Sequence, residues 1–111
     1  MGLFPENLTQ LVFGNNFNQP LEVGVFPETL KKLEFGEQFN QVLADHIFPI
    51  NLSHLRFGDS FDYPLTDRIL PLNLIELTIF FMYGKLQIDE KNYNFSIKKL
   101  YYDGQELPCY I

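Results

Sequence analysis

The chain has 111 residues, 14 acidic against 8 basic, and a formal net charge of −6. That balance repels phosphate backbones and anionic lipid surfaces, so neither nucleic acid nor a membrane is an expected partner. The lone cysteine, Cys109, can form neither an internal disulfide nor a thiolate zinc site. With no leader-like start and no apolar run of membrane-spanning length, the expected location is the cytoplasm.

In chain order, the first segment runs Phe4-Pro5, Leu8, Leu11, Phe13-Gly14 and Phe17-Asn18, and the pattern then recurs. Pro5, Pro27, Pro49 and Pro71 are spaced by 22, each after a large apolar residue. The same period carries Leu8, Leu30, Leu52 and Leu74, then Leu11, Leu33, Leu55 and Leu77, then Phe13, Phe35, Phe57 and Ile79, then Phe17, Phe39, Phe61 and Tyr83. A fixed period of this kind decides architecture before any local propensity does. The chain therefore reads as a single solenoid domain over 1–111, with repeats at about 3–24, 25–46, 47–68 and 69–91. A degenerate C-terminal repeat or cap covers 92–111, where Ile97, Leu100 and Tyr102 follow Leu74, Leu77 and Ile79 at a spacing of 23. In the fourth unit Phe80 replaces the glycine and residues 79–83 are apolar throughout, as expected of a repeat near an end.

Within each unit, Leu11-Val12-Phe13 and its copies alternate inward and outward residues, the period of a short strand. Gly14, Gly36 and Gly58 are expected to end it by taking a positive φ. The apolar-Pro pair marks the return corner, because proline fixes φ and biases the residue before it to extended geometry. No stretch shows helical periodicity. The predicted fold is a mainly β solenoid with one short parallel strand per 22-residue coil and little or no α-helix. A lone unit cannot bury enough apolar surface to offset the ordering of its backbone, so the units have to stack.

The segments Phe-Gly-x-x-Phe-Asn-Gln-Pro-Leu at 13–21, Phe-Gly-x-x-Phe-Asn-Gln-Val-Leu at 35–43 and Phe-Gly-x-x-Phe-Asp-Tyr-Pro-Leu at 57–65 resemble the FNIP repeat. So does the Phe-Pro-x-x-Leu-x-x-Leu-x-Phe-Gly segment between them. That family is similar to leucine-rich repeats, is abundant in social amoebae and in giant viruses of amoebae, and often accompanies an F-box. The resemblance implies a leucine-rich-repeat-like fold and a protein-interaction role, with substrate recognition in an F-box type ubiquitin-ligase adaptor as its sharpest form, in the host cytoplasm if the chain is viral. The repeats begin at residue 3, so no F-box is expected within the chain.

In a stack, residues 22 apart lie about 4.8 Å apart, one strand spacing. The outward column Val12, Glu34, Arg56, Thr78 and Tyr101 and the flanking column Gln10, Lys32, His54, Glu76 and Lys99 vary in chemistry on a fixed framework. A solenoid encodes a protein partner that way, and these ten residues are the candidate binding face. The competing reading is a solvated face, with Glu34 and Arg56 as an ordinary cross-strand pair. Asn18, Asn40 and Asp62 are expected to form a structural ladder that satisfies backbone groups along the stack. Asp45, Asp67 and Asp89 could bridge a calcium ion but read better as turn formers. His46, His54 and Cys109 do not make a nucleophile-base pair at legible spacing. No catalytic residue, metal or cofactor is expected. A second reading makes the chain a structural or self-assembling protein that forms homo-oligomers through an open N-terminal edge.

Overall fold

A computed structural model describes residues 4–79 and, beyond them, the strand residues 86–87, 99–102 and 105–107. Eight strands follow in chain order: β1 (Gln10–Val12), β2 (Lys32–Glu34), β3 (His54–Arg56), β4 (Leu65–Thr66), β5 (Glu76–Ile79), β6 (Leu86–Gln87), β7 (Lys99–Tyr102) and β8 (Gln105–Leu107). Among the described residues there is no helix. One sheet has the order β1-β2-β3-β5-β7-β8, parallel through β7 and antiparallel between β7 and β8. Its register aligns Leu11, Leu33, Leu55, Leu77 and Leu100, so the spacing of 22 and the final step of 23 are both strand-to-strand steps. The architecture is a β solenoid of the leucine-rich-repeat type.

In β2 and β3 the middle leucine is the one residue that faces inward, and in β5 Leu77 and Ile79 do so alternately. Leu33, Leu55 and Leu77 are buried at 2% exposure or less, while the residues on either side point out. The opposite corner is closed at each proline. Leu8, Leu30, Leu52 and Leu74 donate their N–H groups to the carbonyls of Pro5, Pro27, Pro49 and Pro71 at 3.1 to 3.2 Å.

The glycine expectation is corrected. Gly14, Gly36 and Gly58 do not have positive φ; among the described residues that geometry belongs to Gly24, at 91°, and His46, at 61°. Both occupy the third position of a four-residue turn, closed by Val25 N–H on Glu22 O and by Ile47 N–H on Ala44 O, the geometry of a type II turn; the third coil closes the same turn, Ile69 N–H on Thr66 O, without a left-handed residue. The glycine column is needed for a different reason. A Cβ on Gly36 would lie 2.5 Å from the Gly14 carbonyl oxygen, and one on Gly58 would meet the Gly36 carbonyl oxygen and lie 2.7 Å from its carbon. Successive coils touch backbone to backbone there, which leaves no room for a side chain.

The core is a set of phenylalanine columns. Phe13, Phe35 and Phe57 stack with centroids 5.2 and 5.3 Å apart, and Phe17, Phe39 and Phe61 at 6.0 and 6.1 Å. Within each coil the two columns meet face to face at 4.1 to 4.2 Å, so every inner ring contacts its own coil and both neighbours.

The expectation of one strand per coil is incomplete. β4 and β6 pair in parallel as a second, two-stranded sheet, with Leu65 opposite Leu86. Leu65 continues the column of Leu21 and Leu43, and it is followed by Thr66, a β-branched residue suited to a strand, where the earlier coils have Glu22 and Ala44.

Candidate interaction surface

The ten candidate residues occupy two outward columns of the six-stranded sheet. Gln10, Lys32, His54, Glu76 and Lys99 are paired in succession, as are Val12, Glu34, Arg56, Thr78 and Tyr101. Gln10, Val12, Lys32, Glu34 and Arg56 are exposed; His54, Glu76 and Thr78 are half-buried. Val12 is an apolar residue 67% exposed on a face otherwise made of polar groups. Lys99 and Tyr101 are placed by their backbone pairing alone.

Glu34 and Arg56 face each other across β2 and β3 but form no ion pair, so both charges remain open to solvent or to a partner. The close contact on this face is instead between His54 and Glu76, with Nε2 3.7 Å from Oε2. On its other side His54 Nδ1 lies 2.8 Å from Ser53 Oγ. Serine, histidine and glutamate thus follow one another in a chain of contacts, but the histidine–glutamate separation of 3.7 Å is longer than a hydrogen bond. Ser53 Oγ also lies 3.0 Å from the Lys31 carbonyl oxygen, a structural acceptor one coil back for its single hydrogen.

Beside the outward column lies a groove of about 460 Å³, bounded on one side by Val12, Glu34 and Arg56 and on the other by Asn15, Glu37 and Asp59. Its floor is the glycine column at Gly36 and Gly58. The absence of side chains that lets the coils touch also sinks the floor below its two walls. The column Asn15, Glu37 and Asp59 was not singled out from the sequence, although it shows the same signal as the strand face, free variation at a fixed spacing. With Glu34 it sets three carboxylates around one guanidinium.

The Asn18 column lies away from this face. Asn18 Oδ1 accepts the Asn40 N–H at 2.9 Å, and Asn40 Oδ1 accepts the Asp62 N–H at 2.9 Å. Gln41 Nε2 adds a second bond to Asn18 Oδ1 at 2.8 Å. A smaller ladder runs alongside, in which Asn15 Oδ1 takes the Glu37 N–H at 3.3 Å and Asn16 Oδ1 takes Gln38 Nε2 at 3.2 Å. Asp45 is a turn residue whose carboxylate lies 3.9 Å from the Arg68 guanidinium. Among the described residues no three metal-ligating side chains converge. His46 is the left-handed corner residue, one coil removed from β3, which carries His54. Asp89 and Cys109 lie outside the described residues, as do Phe80 and Tyr83.

A family model described as "FNIP Repeat" matches residues 1–38 and 39–80. The chain belongs to the FNIP repeat family. In FNIP terms, the phenylalanines are the stacked columns, the glycine is the backbone contact between coils, and the asparagine is the ladder that bonds each coil to the next. The chain is also similar to the solved structure of CroV588, described as a novel circular LRR protein, with 29% identity and a TM-score of 0.72. The match covers 90% of this chain and 18% of CroV588, so the chain corresponds to less than a fifth of that protein's length. Comparison with curated proteins finds no match.

Proposed function

We propose that the chain is a non-catalytic protein-interaction module whose recognition surface is the outward face of the β1-β2-β3-β5-β7 sheet together with the groove beside it. The observation that carries this reading is the register: ten chemically varied residues are held in two straight columns by a framework whose inward positions repeat. Glu34, Arg56 and Val12 offer an acid, a base and an apolar group side by side, without an internal ion pair to satisfy the charges. Such a face is written by substitution alone, because changing an outward residue leaves the phenylalanine columns untouched.

In its sharper form the module selects substrates for an F-box type ubiquitin-ligase adaptor, in the cytoplasm of an amoebal host. The FNIP family and the likeness to CroV588 support an interaction role, and the adaptor role is the extension of it proposed here. Affinity capture from amoebal lysate tests both. Partners held by the native chain should be lost with Glu34→Ala/Arg56→Ala and kept with Val42→Ala, an exposed residue outside the two columns. Equal capture by all three would remove the case for the strand face, and the presence or absence of ubiquitin-ligase subunits among the partners decides the adaptor form.

A further inference from the structure

The two sides of a coil in this stack are not alike, and the first coil leaves one of them uncovered. Phe4, Leu8, Leu11, Phe13, Phe17, Leu21 and Val25 are half-buried, whereas the equivalent Phe26, Leu30, Leu33, Phe35, Phe39, Leu43 and Ile47 are buried. Around Phe4, Phe13, Phe17, Leu21 and Val25 lies an apolar hollow of about 700 Å³.

The polar groups of that side are equally specific. In the second coil, the N–H groups of Lys32, Gln38 and Asn40 donate back to Thr9 O, Asn15 O and Asn18 Oδ1 at 3.1, 3.0 and 2.9 Å. The backbone N–H groups of their counterparts Gln10, Asn16 and Asn18 have no such acceptor among the described residues. The glycine column completes the pattern. Where Gly36 and Gly58 are closed by the carbonyl of the glycine one coil earlier, the space at Gly14 is open, with nothing within 4 Å of an added Cβ.

We infer that this face is an acceptor for one further coil of the same 22-residue pattern, stacked in parallel register ahead of Phe4. Three independent features ask for that occupant. The ring columns require phenylalanines at the 5 to 6 Å pitch of the interior stacks. The free donors require acceptors at the positions of Thr9, Asn15 and Asn18. The slot at Gly14 has room for a backbone carbonyl of a preceding coil, as the bare face of Gly36 has for the carbonyl of Gly14. A second copy of this chain does not supply these, because the far end of its sheet is β8, which runs antiparallel. The interface is therefore one-sided: the preceding face of one coil fits the following face of another, and two identical preceding faces do not match.

The test duplicates residues 4–25 ahead of Phe4, which keeps the Val25–Phe26 junction as a Val25–Phe4 junction. Thermal unfolding of the extended chain should show a melting temperature raised by at least about 4 °C, the response to roughly 1 kcal/mol in a domain of this size. Amide exchange at the original Gln10, Asn16 and Asn18 should slow at least tenfold. Gly14→Ala should leave the natural chain unshifted or slightly raised, yet abolish the gain when made at the original glycine of the extended chain. An unchanged melting temperature with unprotected amides overturns the inference. So does a loss in the natural chain on Gly14→Ala matching that of Gly36→Ala, which is read without the duplication and shows the slot already filled. A dimer of the natural chain that protects the same amides also overturns it, because a second copy would then be the occupant.

Discussion

The first and second coils carry nearly the same apolar letters and live in different environments. Phe17 and Phe39 occupy the same column, as do Phe13 and Phe35, but Phe39 is fully buried and Phe35 almost so, while their first-coil counterparts remain half-exposed. The glycines differ in the same sense: Gly36 is closed by backbone and Gly14 faces open space. In a solenoid, the burial of a residue is set by the number of coils beside it, so a single letter has two energetic values depending on where it falls in the stack.

The largest effect should come from breaking that contrast at its centre. Phe39→Ala removes a ring that contacts its own coil and both neighbours, and urea unfolding should show a loss of about 3–5 kcal/mol. Phe17→Ala, with one side already in solvent, should lose roughly half as much. Equal losses would mean that the first coil is packed as tightly as the second.

Next in size is the glycine column. Gly36→Ala drives a methyl group into the Gly14 carbonyl, and overpacking of this kind costs about 1–3 kcal/mol. The midpoint of denaturant unfolding should fall accordingly, whereas the same change at Gly14 should not lower it.

The smallest effect sharpens the comparison at the turn. Gly24 and His46 hold the same left-handed position, favourably in the first coil and at a steric penalty in the second. The penalty of about 1–2 kcal/mol for a side chain there exceeds the roughly 0.5–1 kcal/mol that glycine loses in unfolded-state entropy. His46→Gly should therefore stabilise the chain by several tenths of a kcal/mol, up to about 1, and Gly24→Ala should destabilise it by a similar amount, both read from thermal unfolding.

The strand face was legible because alternation and a 22-residue period together leave no other side for Val12, Glu34 and Arg56 to point. The groove beside it was not, since its floor depends on how close two backbones come at Gly36 and Gly58. The Ser53-His54-Glu76 contacts were hidden for a related reason: Ser53 bonds to Lys31, one coil back, and Glu76 approaches His54 from the next coil. Both pairs are 22 residues apart, so the period placed them side by side, but it did not show which of their groups would meet. The second sheet, β4 with β6, was missed because the period after residue 79 no longer identifies which residues lie opposite one another.

By itself the sequence determined the period, the inward columns and the parallel register, because side-chain alternation and a fixed repeat length leave one way for 22-residue coils to share a core. The tertiary structure decided what Gly36 and Gly58 are for, because that depends on a backbone separation between coils that no residue pattern encodes, and it showed that the left-handed residues are Gly24 and His46, in local turns. It also decided which charges on the strand face find a partner. Glu34 and Arg56 are adjacent in the register and could have paired, but whether two side chains meet is settled by their directions in space.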